Sequence, residues 1–165
     1  SSAVNSVADL KPKFLTIHAS GGAAMIAAAV ASAGSIEITG VTILTSLAEG
    51  DLSEIGFQPD TKKRAIQLAK LATDNGAKAI VCSPLEVSEI AKQNPNLVRI
   101  TPGVRLQSDQ KGDQVRTMTP KAALQNGANF LVIGRPITSL FNQSNAGESK
   151  DLIDSKLNEI ESQIN

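Results

Sequence analysis

The chain has 165 residues, and its 16 Lys and Arg residues are balanced by 16 Asp and Glu residues. This length suits a single domain, 1–165, and a neutral chain without a basic block gives no reason to expect a nucleic acid or an anionic membrane as partner. The longest apolar stretches, such as Ala23–Ala31, fall well short of the roughly 18 residues that a membrane-spanning helix needs. A single cysteine, Cys82, cannot form an internal disulfide, which favours a cytoplasmic location.

Short apolar segments alternate with amphipathic ones along the chain. The apolar segments are rich in β-branched residues and are followed by Gly, Pro, Ser or Thr, which indicates strands that end in loops. Because they are apolar throughout rather than alternating, and because aromatic residues make up only 2% of the chain, we expect a parallel sheet with an aliphatic core. The predicted strands are Phe14–Ile17, Ile38–Leu44, Ala79–Cys82, Val98–Ile100 and Phe130–Ile133.

The amphipathic segments predict helices, and two of them stop at an Asn-Gly pair. Glycine suits the left-handed position just past a helix end, so Asn75-Gly76 and Asn126-Gly127 mark two helix C-termini, while Thr119-Pro120 marks an N-terminus. The polar segment Asn142–Ser149 is expected to be a loop. The predicted helices are Ala23–Ala33, Lys62–Asn75, Pro84–Gln93, Pro120–Asn126 and Lys150–Ile164, with Ser1–Ala8 part of another.

The number of repeated units limits the architecture. The pattern gives about five β/α units, whereas a closed barrel needs eight strands and at least ~200 residues. Alone, such a set forms either an open doubly wound sheet or an incomplete barrel with exposed strand edges. The fold class is therefore α/β in both cases.

Ligands of both architectures bind at the C-terminal ends of strands, so the loops after the strands are the candidate site. Gly134-Arg135 follows the last predicted strand, where a glycine lets backbone N–H groups approach an anion and an Arg offers planar donors for phosphate. Arg105 and Gln114 belong to the loop after Val98–Ile100, whose polar stretch Leu106–Arg116 is long enough to be a lid or a disordered excursion.

Three further residues carry two interpretations each. Thr45 ends a buried strand and either binds a polar ring or caps a helix. His18, the single histidine, is a candidate acid or base, although a buried hydrogen-bonding role is the stronger interpretation. Cys82 is either a nucleophile or a small core residue, and its apolar neighbours favour the core. One His with one Cys predicts no metal site.

Taken in order, the loop sequences resemble one family. Single motifs are weakly specific, but six of them in the same order along nearly the whole chain resemble bacterial orotidine 5′-phosphate decarboxylase. The motifs are HASGG (His18–Gly22), VTILTS (Val41–Ser46), VCSPLE (Val81–Glu86), TPGVR (Thr101–Arg105), GDQVRTMTP (Gly112–Pro120) and VIGRPIT (Val132–Thr138).

The resemblance implies a (β/α)8 barrel that works as a homodimer without cofactor or metal. It implies that Thr45 contacts the pyrimidine and that the 5′-phosphate is held by Arg105, Gln114, Gly134 and Arg135. The substrate would be orotidine 5′-monophosphate and the products UMP and carbon dioxide, in the last step of de novo UMP synthesis.

One departure from the family pattern concerns catalysis. The family's catalytic lysine lies in an Asp-x-Lys-x-x-Asp motif, and none of the lysines here stands in that context. We therefore expect this chain to be the C-terminal two-thirds of the barrel, with no catalytic residue of its own and no activity alone.

Three interpretations stay open from the sequence. The chain is a piece of a decarboxylase whose N-terminal strands come from elsewhere, for which a separate N-terminal fragment is a candidate partner. Alternatively it is an inactive barrel fragment that binds phosphate at most. The third interpretation is a different phosphate-binding barrel enzyme, either a decarboxylase or an aldolase. The motifs VTILTS and VIGRPIT disfavour it.

Overall fold

The computed structural model describes residues 2–57, 60–106, 117–142 and 146–164. Five strands form one sheet in the order β1-β2-β3-β4-β5, and every neighbouring pair is parallel. Sequence order and spatial order therefore coincide, as in a singly wound barrel. The strands are β1 Phe14–His18, β2 Glu37–Val41, β3 Ala79–Val81, β4 Val98–Thr101 and β5 Phe130–Leu131.

Helices connect the strands and cover one face of the sheet. Helices α2 and α4 contact β2, α5 contacts β4, and α6 contacts β5. The prediction of an α/β fold with about five parallel β/α units is confirmed. The helices are α1 Ser2–Asn5, α2 Ala23–Ala31, α3 Glu49–Glu54, α4 Thr61–Asp74, α5 Val87–Gln93, α6 Pro120–Gln125, α7 Arg135–Thr138 and α8 Ala146–Ile164.

The strand register separates the two faces of the sheet. Neighbouring residues of parallel strands point to the same side, and successive residues alternate between sides. One face of the sheet therefore carries every second residue of each strand, and Phe14 on β1 and Phe130 on β5 both lie on this face. This follows from the pairs Phe14–Glu37, Thr39–Ala79, Ala79–Val98 and Ile100–Phe130.

The opposite face packs against the helices and forms an aliphatic core. Ile38 and Gly40 of β2 point to this side, and Ile80 of β3 lies beside Gly40. The buried side chains there are almost all Ala, Ile, Leu and Val, as the low aromatic content predicts. Fully buried members include Ile26, Ala65, Ala69, Ala72, Ile80, Val87 and Ala123.

An aromatic contact shows that the sheet is strongly curled. Phe14 lies on the first strand and Phe130 on the last, yet their ring centroids are 5.7 Å apart in an edge-to-face arrangement. In a flat sheet the four gaps between five strands would separate the two edges by about 19 Å. The face that carries both rings is therefore concave, and the helices lie on the convex side.

Several element boundaries differ from the predicted ones. Helix α5 begins at Val87 rather than Pro84, because Ser83 Oγ accepts a hydrogen bond from the Leu85 N–H and forms a turn. Helix α8 begins at Ala146, so the predicted loop Asn142–Ser149 is wrong at its end, where Ser149 is buried within the helix. Helices α3 and α7 are short and were not predicted.

Both predicted Asn-Gly helix ends are confirmed. Gly76 and Gly127 have φ angles of +91° and +104°, in the region that glycine adopts without steric cost. The N–H groups of Ala77 and Ala128 then donate to the carbonyls of Ala72 and Ala123, both over 3.0 Å. These bonds satisfy carbonyls that a helix end would otherwise leave without partners.

A buried arginine holds the N-terminal end of the sheet together. Arg99 on β4 is 7% exposed, and its guanidinium donates to backbone carbonyls in the loops that precede β4 and β5. These bonds fix both loops against the sheet, at the end remote from the candidate site. The acceptors are Asn94 (3.1 Å), Pro95 (3.3 Å), Leu97 (2.6 Å) and Gly127 (2.6 Å).

Within the described part of the chain, no helix combines the length and the apolar character needed to cross a membrane.

Strand β2 packs closely against helix α4 at Gly40. A Cβ placed on Gly40 would lie 2.7 Å from the Cβ of Ala72 on α4, a distance that real Cβ atoms essentially never show. Ala72 is fully buried, so neither residue can move into solvent. Helix α4 therefore depends on a glycine in β2.

We expect Gly40→Ala to lower the free energy of unfolding by about 1–3 kcal/mol, because overpacking forces a backbone shift. The double variant Gly40→Ala/Ala72→Gly should be less destabilised than the sum of its single variants. Urea unfolding of the four proteins measures both values. Additive effects, or a Gly40→Ala variant with wild-type stability, would contradict this packing.

Candidate functional site

The predicted site residues that the structure describes all follow strands at the C-terminal edge of the sheet. Thr45 lies after β2, Arg105 after β4, and Gly134 and Arg135 after β5. Parallel strands bring their C-terminal ends to one edge, so these loops share one rim. Gln114 lies outside the described residues.

The loop after β2 is anchored before it reaches Thr45. Thr42 bonds twice to the Val81 carbonyl at the end of β3, from its N–H over 3.1 Å and from its Oγ1 over 3.0 Å. The chain then turns through a bond from the Leu47 N–H to the Leu44 carbonyl. Thr45, within this turn, is only 8% exposed. The bonds between Thr42 and Val81 thus fix the start of the turn that contains Thr45.

The loop after β4 is closed at its base by a short parallel bridge between Val104 and Met118. The Arg105 N–H donates to the Met118 carbonyl over 3.0 Å, and the Met118 N–H donates to the Gly103 carbonyl over 3.2 Å. The two ends of the long polar segment are therefore held together. Arg105 stands at this base, half-buried, and its Nη1 donates to the Val104 carbonyl over 2.9 Å.

The loop after β5 presents Gly134 and an exposed Arg135. Arg135 begins the four-residue helix α7, in which Ile137 and Thr138 donate their N–H groups to the Gly134 carbonyl. A Cβ on Gly134 would meet no atom within 4 Å, and its φ of −101° suits any residue. Glycine is therefore not required here by packing within the described chain, and the space above its backbone is open.

The strand order determines which of the predicted site residues lie on adjacent loops. β4 and β5 are hydrogen-bonded neighbours, so the two arginine-bearing loops are adjacent. The Thr45 loop is separated from them by β3 and its loop. The loops that carry Arg105 and Arg135 thus follow neighbouring strands at one part of the rim, and the loop that carries Thr45 lies farther along it.

His18 does not have the buried role that the sequence favoured. It ends β1 on the concave face and is exposed, because no described strand covers that side of β1. Cys82 is 1% exposed within the aliphatic core, as predicted. It is therefore too inaccessible to act as a nucleophile.

Sequence reasoning missed a row of buried polar side chains at the same rim. Glu86, in the turn after β3, is 1% exposed, and the last residue of β4, Thr101, is fully buried. Burial of a carboxylate is costly unless hydrogen bonds satisfy it. We therefore expect other polar groups beside Glu86 at this rim. The motifs contain both residues, but nothing in the sequence distinguishes a buried Glu from a solvated one.

Among the described residues, no cluster of three or more His, Cys, Asp or Glu side chains could hold a metal ion.

A protein-family model described as the orotidine 5′-phosphate decarboxylase / HUMPS family matches residues 1–149. The chain belongs to this family. The match includes the three loops that carry Thr45, Arg105 and Arg135, and the family resemblance seen in the six motifs is confirmed.

Curated relatives with the same description are closely similar. Orotidine 5′-phosphate decarboxylase of Thermobifida fusca (strain YX) is 50% identical over 137 residues, which cover 82% of this chain and 59% of the relative. The Coxiella burnetii (strain RSA 331) protein of that name is 42% identical over 156 residues, which cover 90% of this chain and 66% of the relative. The chain thus spans less than two thirds of the length of either.

Solved structures show the same fold. The crystal structure of orotidine 5′-phosphate decarboxylase from Lactobacillus acidophilus superposes with a TM-score of 0.72 at 30% identity, covering 96% of this chain and 67% of that one. An uncharacterized conserved protein from Geobacillus kaustophilus, 23% identical, has a TM-score of 0.71 and supports the fold alone. The sheet therefore corresponds to part of a family barrel, and the expected incomplete barrel is consistent with both.

We expect Thr42→Val to lower the free energy of unfolding by about 1 kcal/mol, because the Oγ1 bond to the Val81 carbonyl is lost in a buried site. Thr42→Ser keeps the hydroxyl and should retain most of that stability. Urea unfolding compares the variants. If Thr42→Ser were as destabilised as Thr42→Val, the inter-strand bond would not be what anchors this loop.

Proposed function

We propose that this chain supplies the phosphate- and pyrimidine-binding loops of an enzyme that decarboxylates orotidine 5′-monophosphate to UMP. In this proposal Arg105, Gln114, Gly134 and Arg135 hold the 5′-phosphate, and Thr45 contacts the pyrimidine. The observation that carries it is the placement of Arg105 and Arg135 after neighbouring strands at the C-terminal rim of a sheet from this family.

The chemistry of the arginine-bearing loops supports a phosphate ligand. Guanidinium groups give charge-assisted, often bidentate hydrogen bonds to phosphate oxygens. The open space above Gly134 leaves room for an anion to approach its backbone. The loops after the last two strands are also where barrels of this class frequently hold phosphate.

The phosphate grip matters for the reaction although no bond to phosphorus changes. Loss of carbon dioxide leaves carbanion character at C6 of the pyrimidine, and the resemblance implies that a lysine protonates it. Binding energy from a remote group can be used to stabilise the transition state at the reacting carbon. This chain would thus provide binding, while the proton donor comes from the Asp-x-Lys-x-x-Asp motif that its sequence does not contain.

It follows from this proposal that the chain alone is inactive, and that activity needs the strands that carry the missing motif. The relatives are longer than this chain, and their additional length could supply those strands. The resemblance also implies a homodimer as the working form, without cofactor or metal, and the single cysteine favours a location in the cytoplasm. The competing proposal, based on the same missing motif, is an inactive barrel fragment that binds phosphate at most.

The test uses a fusion in which the part of the Thermobifida fusca relative that precedes the matched region is joined to this chain. Arg135→Ala should lower kcat/KM for orotidine 5′-monophosphate roughly 100- to 1,000-fold, since charge-assisted bonds worth about 3–4 kcal/mol are lost. Arg64→Ala on α4, where Arg64 contacts Gln67 and the Phe57 ring, is the matched control and should leave kcat/KM unchanged.

A loss below about tenfold for Arg135→Ala, or ~1.4 kcal/mol, would count against the phosphate assignment. A folded fusion that binds UMP without decarboxylating the substrate would favour the inactive-fragment proposal instead.

A further inference from the structure

A cavity lies at the rim of the sheet opposite the candidate site. It has a volume of about 350 Å³ and is enclosed by the ends of helices α4 and α5 and by the loops that lead into β3 and β4. That volume is within the range of pockets that hold small molecules. The polar side chains that line it are Thr73, Lys78, Gln93, Asn94 and Asn96.

One wall of this cavity, the loop between α5 and β4, is fixed by the buried Arg99. The guanidinium Nη1 donates to the carbonyls of Asn94, Pro95 and Leu97, over 3.1, 3.3 and 2.6 Å. The Leu97 N–H also donates to the Asn94 carbonyl over 3.2 Å. A wall that is held in place before a ligand arrives loses little conformational entropy on binding.

The opposite wall is the capped end of helix α4. The Gly76 N–H donates to the Thr73 carbonyl over 3.0 Å. The Asn75 Nδ2 donates to the Leu71 carbonyl over 2.8 Å. The partial negative charge of a helix C-terminus resides on carbonyls of its last turn. Because these carbonyls accept bonds within the cap, they repel an anion in the cavity less than open carbonyls would.

Lys78 supplies a positive charge to the cavity. Its side chain makes no hydrogen bond or ion pair with any residue that the structure describes. Two carboxylates on the adjacent helices are already engaged. Asp74 on α4 pairs with Lys70 over 2.9 Å. Glu89 on α5 accepts a hydrogen bond from the Gln93 Nε2 over 3.0 Å. The Lys78 ammonium is therefore available to an anionic ligand.

Two carboxamides line the same cavity as Lys78. Within the described ranges, the side chains of Asn94 and Asn96 form no hydrogen bond, so both amide groups can bond to a ligand. Each amide offers two N–H donors and one carbonyl acceptor. A carboxylate or phosphate would accept from the N–H groups and from the ammonium, and the amide carbonyls would accept from hydroxyl groups of the same ligand.

We propose that this cavity is a binding site for a small organic anion. Lys78 pairs with its carboxylate or phosphate group, and the amides of Asn94 and Asn96 bond to its other polar atoms. The site lies at the rim opposite the proposed nucleotide site, so it does not rest on the proposed function. A ligand held here would connect the loops that precede β3 and β4, and would stabilise the fold in proportion to its occupancy.

Nuclear magnetic resonance of the ¹⁵N-labelled chain tests the site, with citrate and inorganic phosphate as probes and sodium chloride at equal ionic strength as reference. We expect at least one probe to shift the side-chain amide signals of Asn94 and Asn96, with a Kd of about 1 mM or below. A response to citrate alone supports a carboxylate ligand, and a response to phosphate alone supports a phosphorylated one. The absence of shifts at the cavity with both probes, up to about 10 mM, would overturn the proposal.

Charge-removing variants locate the bound anion. Lys78→Gln should weaken binding of the responding probe at least about tenfold, because the charge-assisted bond is lost. Lys62→Gln removes the same charge at an exposed position at the start of α4, and should bind within twofold of the unmodified chain. Circular dichroism identifies any variant that fails to fold. An unchanged affinity in folded Lys78→Gln would overturn the assignment.

A variant at the opposite rim separates this site from the proposed nucleotide site. Arg135→Ala should leave the probe-induced shifts of Asn94 and Asn96 unchanged while it weakens UMP binding. Loss of those shifts in folded Arg135→Ala would show that they report binding at the other rim, and would overturn the proposed cavity site. Retained shifts together with no binding of UMP by the unmodified chain would support the cavity site and contradict the proposed function.

Discussion

Parallel pairing of five consecutive strands is the constraint on which the remaining features depend. Because each strand runs in the same direction as its neighbour, all the post-strand loops emerge at one rim and all the pre-strand loops at the other. The structure stabilises the two rims differently. Arg99 bonds to carbonyls of the pre-strand loops, whereas Thr42 and the Val104–Met118 bridge fix the post-strand loops that carry Thr45 and Arg105.

In our proposal, this arrangement separates substrate binding from the chemical step. The described part of the rim has two arginine-bearing loops after neighbouring strands, together with several buried polar side chains, and our proposal assigns these groups to an anion attached to a polar ring. The family's proton donor has no counterpart in the sequence. A barrel divides readily in this way, since each β/α unit contributes its own loop to a shared rim. Binding groups and reacting groups can therefore lie on different units, as in our proposal for this chain.

Much of the fold could be predicted from the sequence, because local physics determines it. Continuous apolar strands indicate a parallel sheet, and Gly76 and Gly127 terminate helices because only glycine adopts their backbone angles cheaply. The sequence did not predict the exposure of two residues, because exposure depends on parts of the chain that are distant in sequence. His18 is exposed at the end of an edge strand that has a described neighbour on one side only, and Glu86 is buried although nothing in its local sequence distinguishes it from a solvated residue. For the site, motif order identified the loops, but only the sheet order shows which loops are adjacent.

The central claim is that this chain recognises a nucleotide through its phosphate. The most direct measurement compares UMP with uridine in calorimetric titrations of the unmodified chain, since the two ligands differ only in that group. Charge-assisted bonds from Arg105 and Arg135 should make UMP bind at least about 100-fold more tightly than uridine, a difference of ~2.7 kcal/mol. Equal affinities, or no detectable binding of UMP, would contradict the claim.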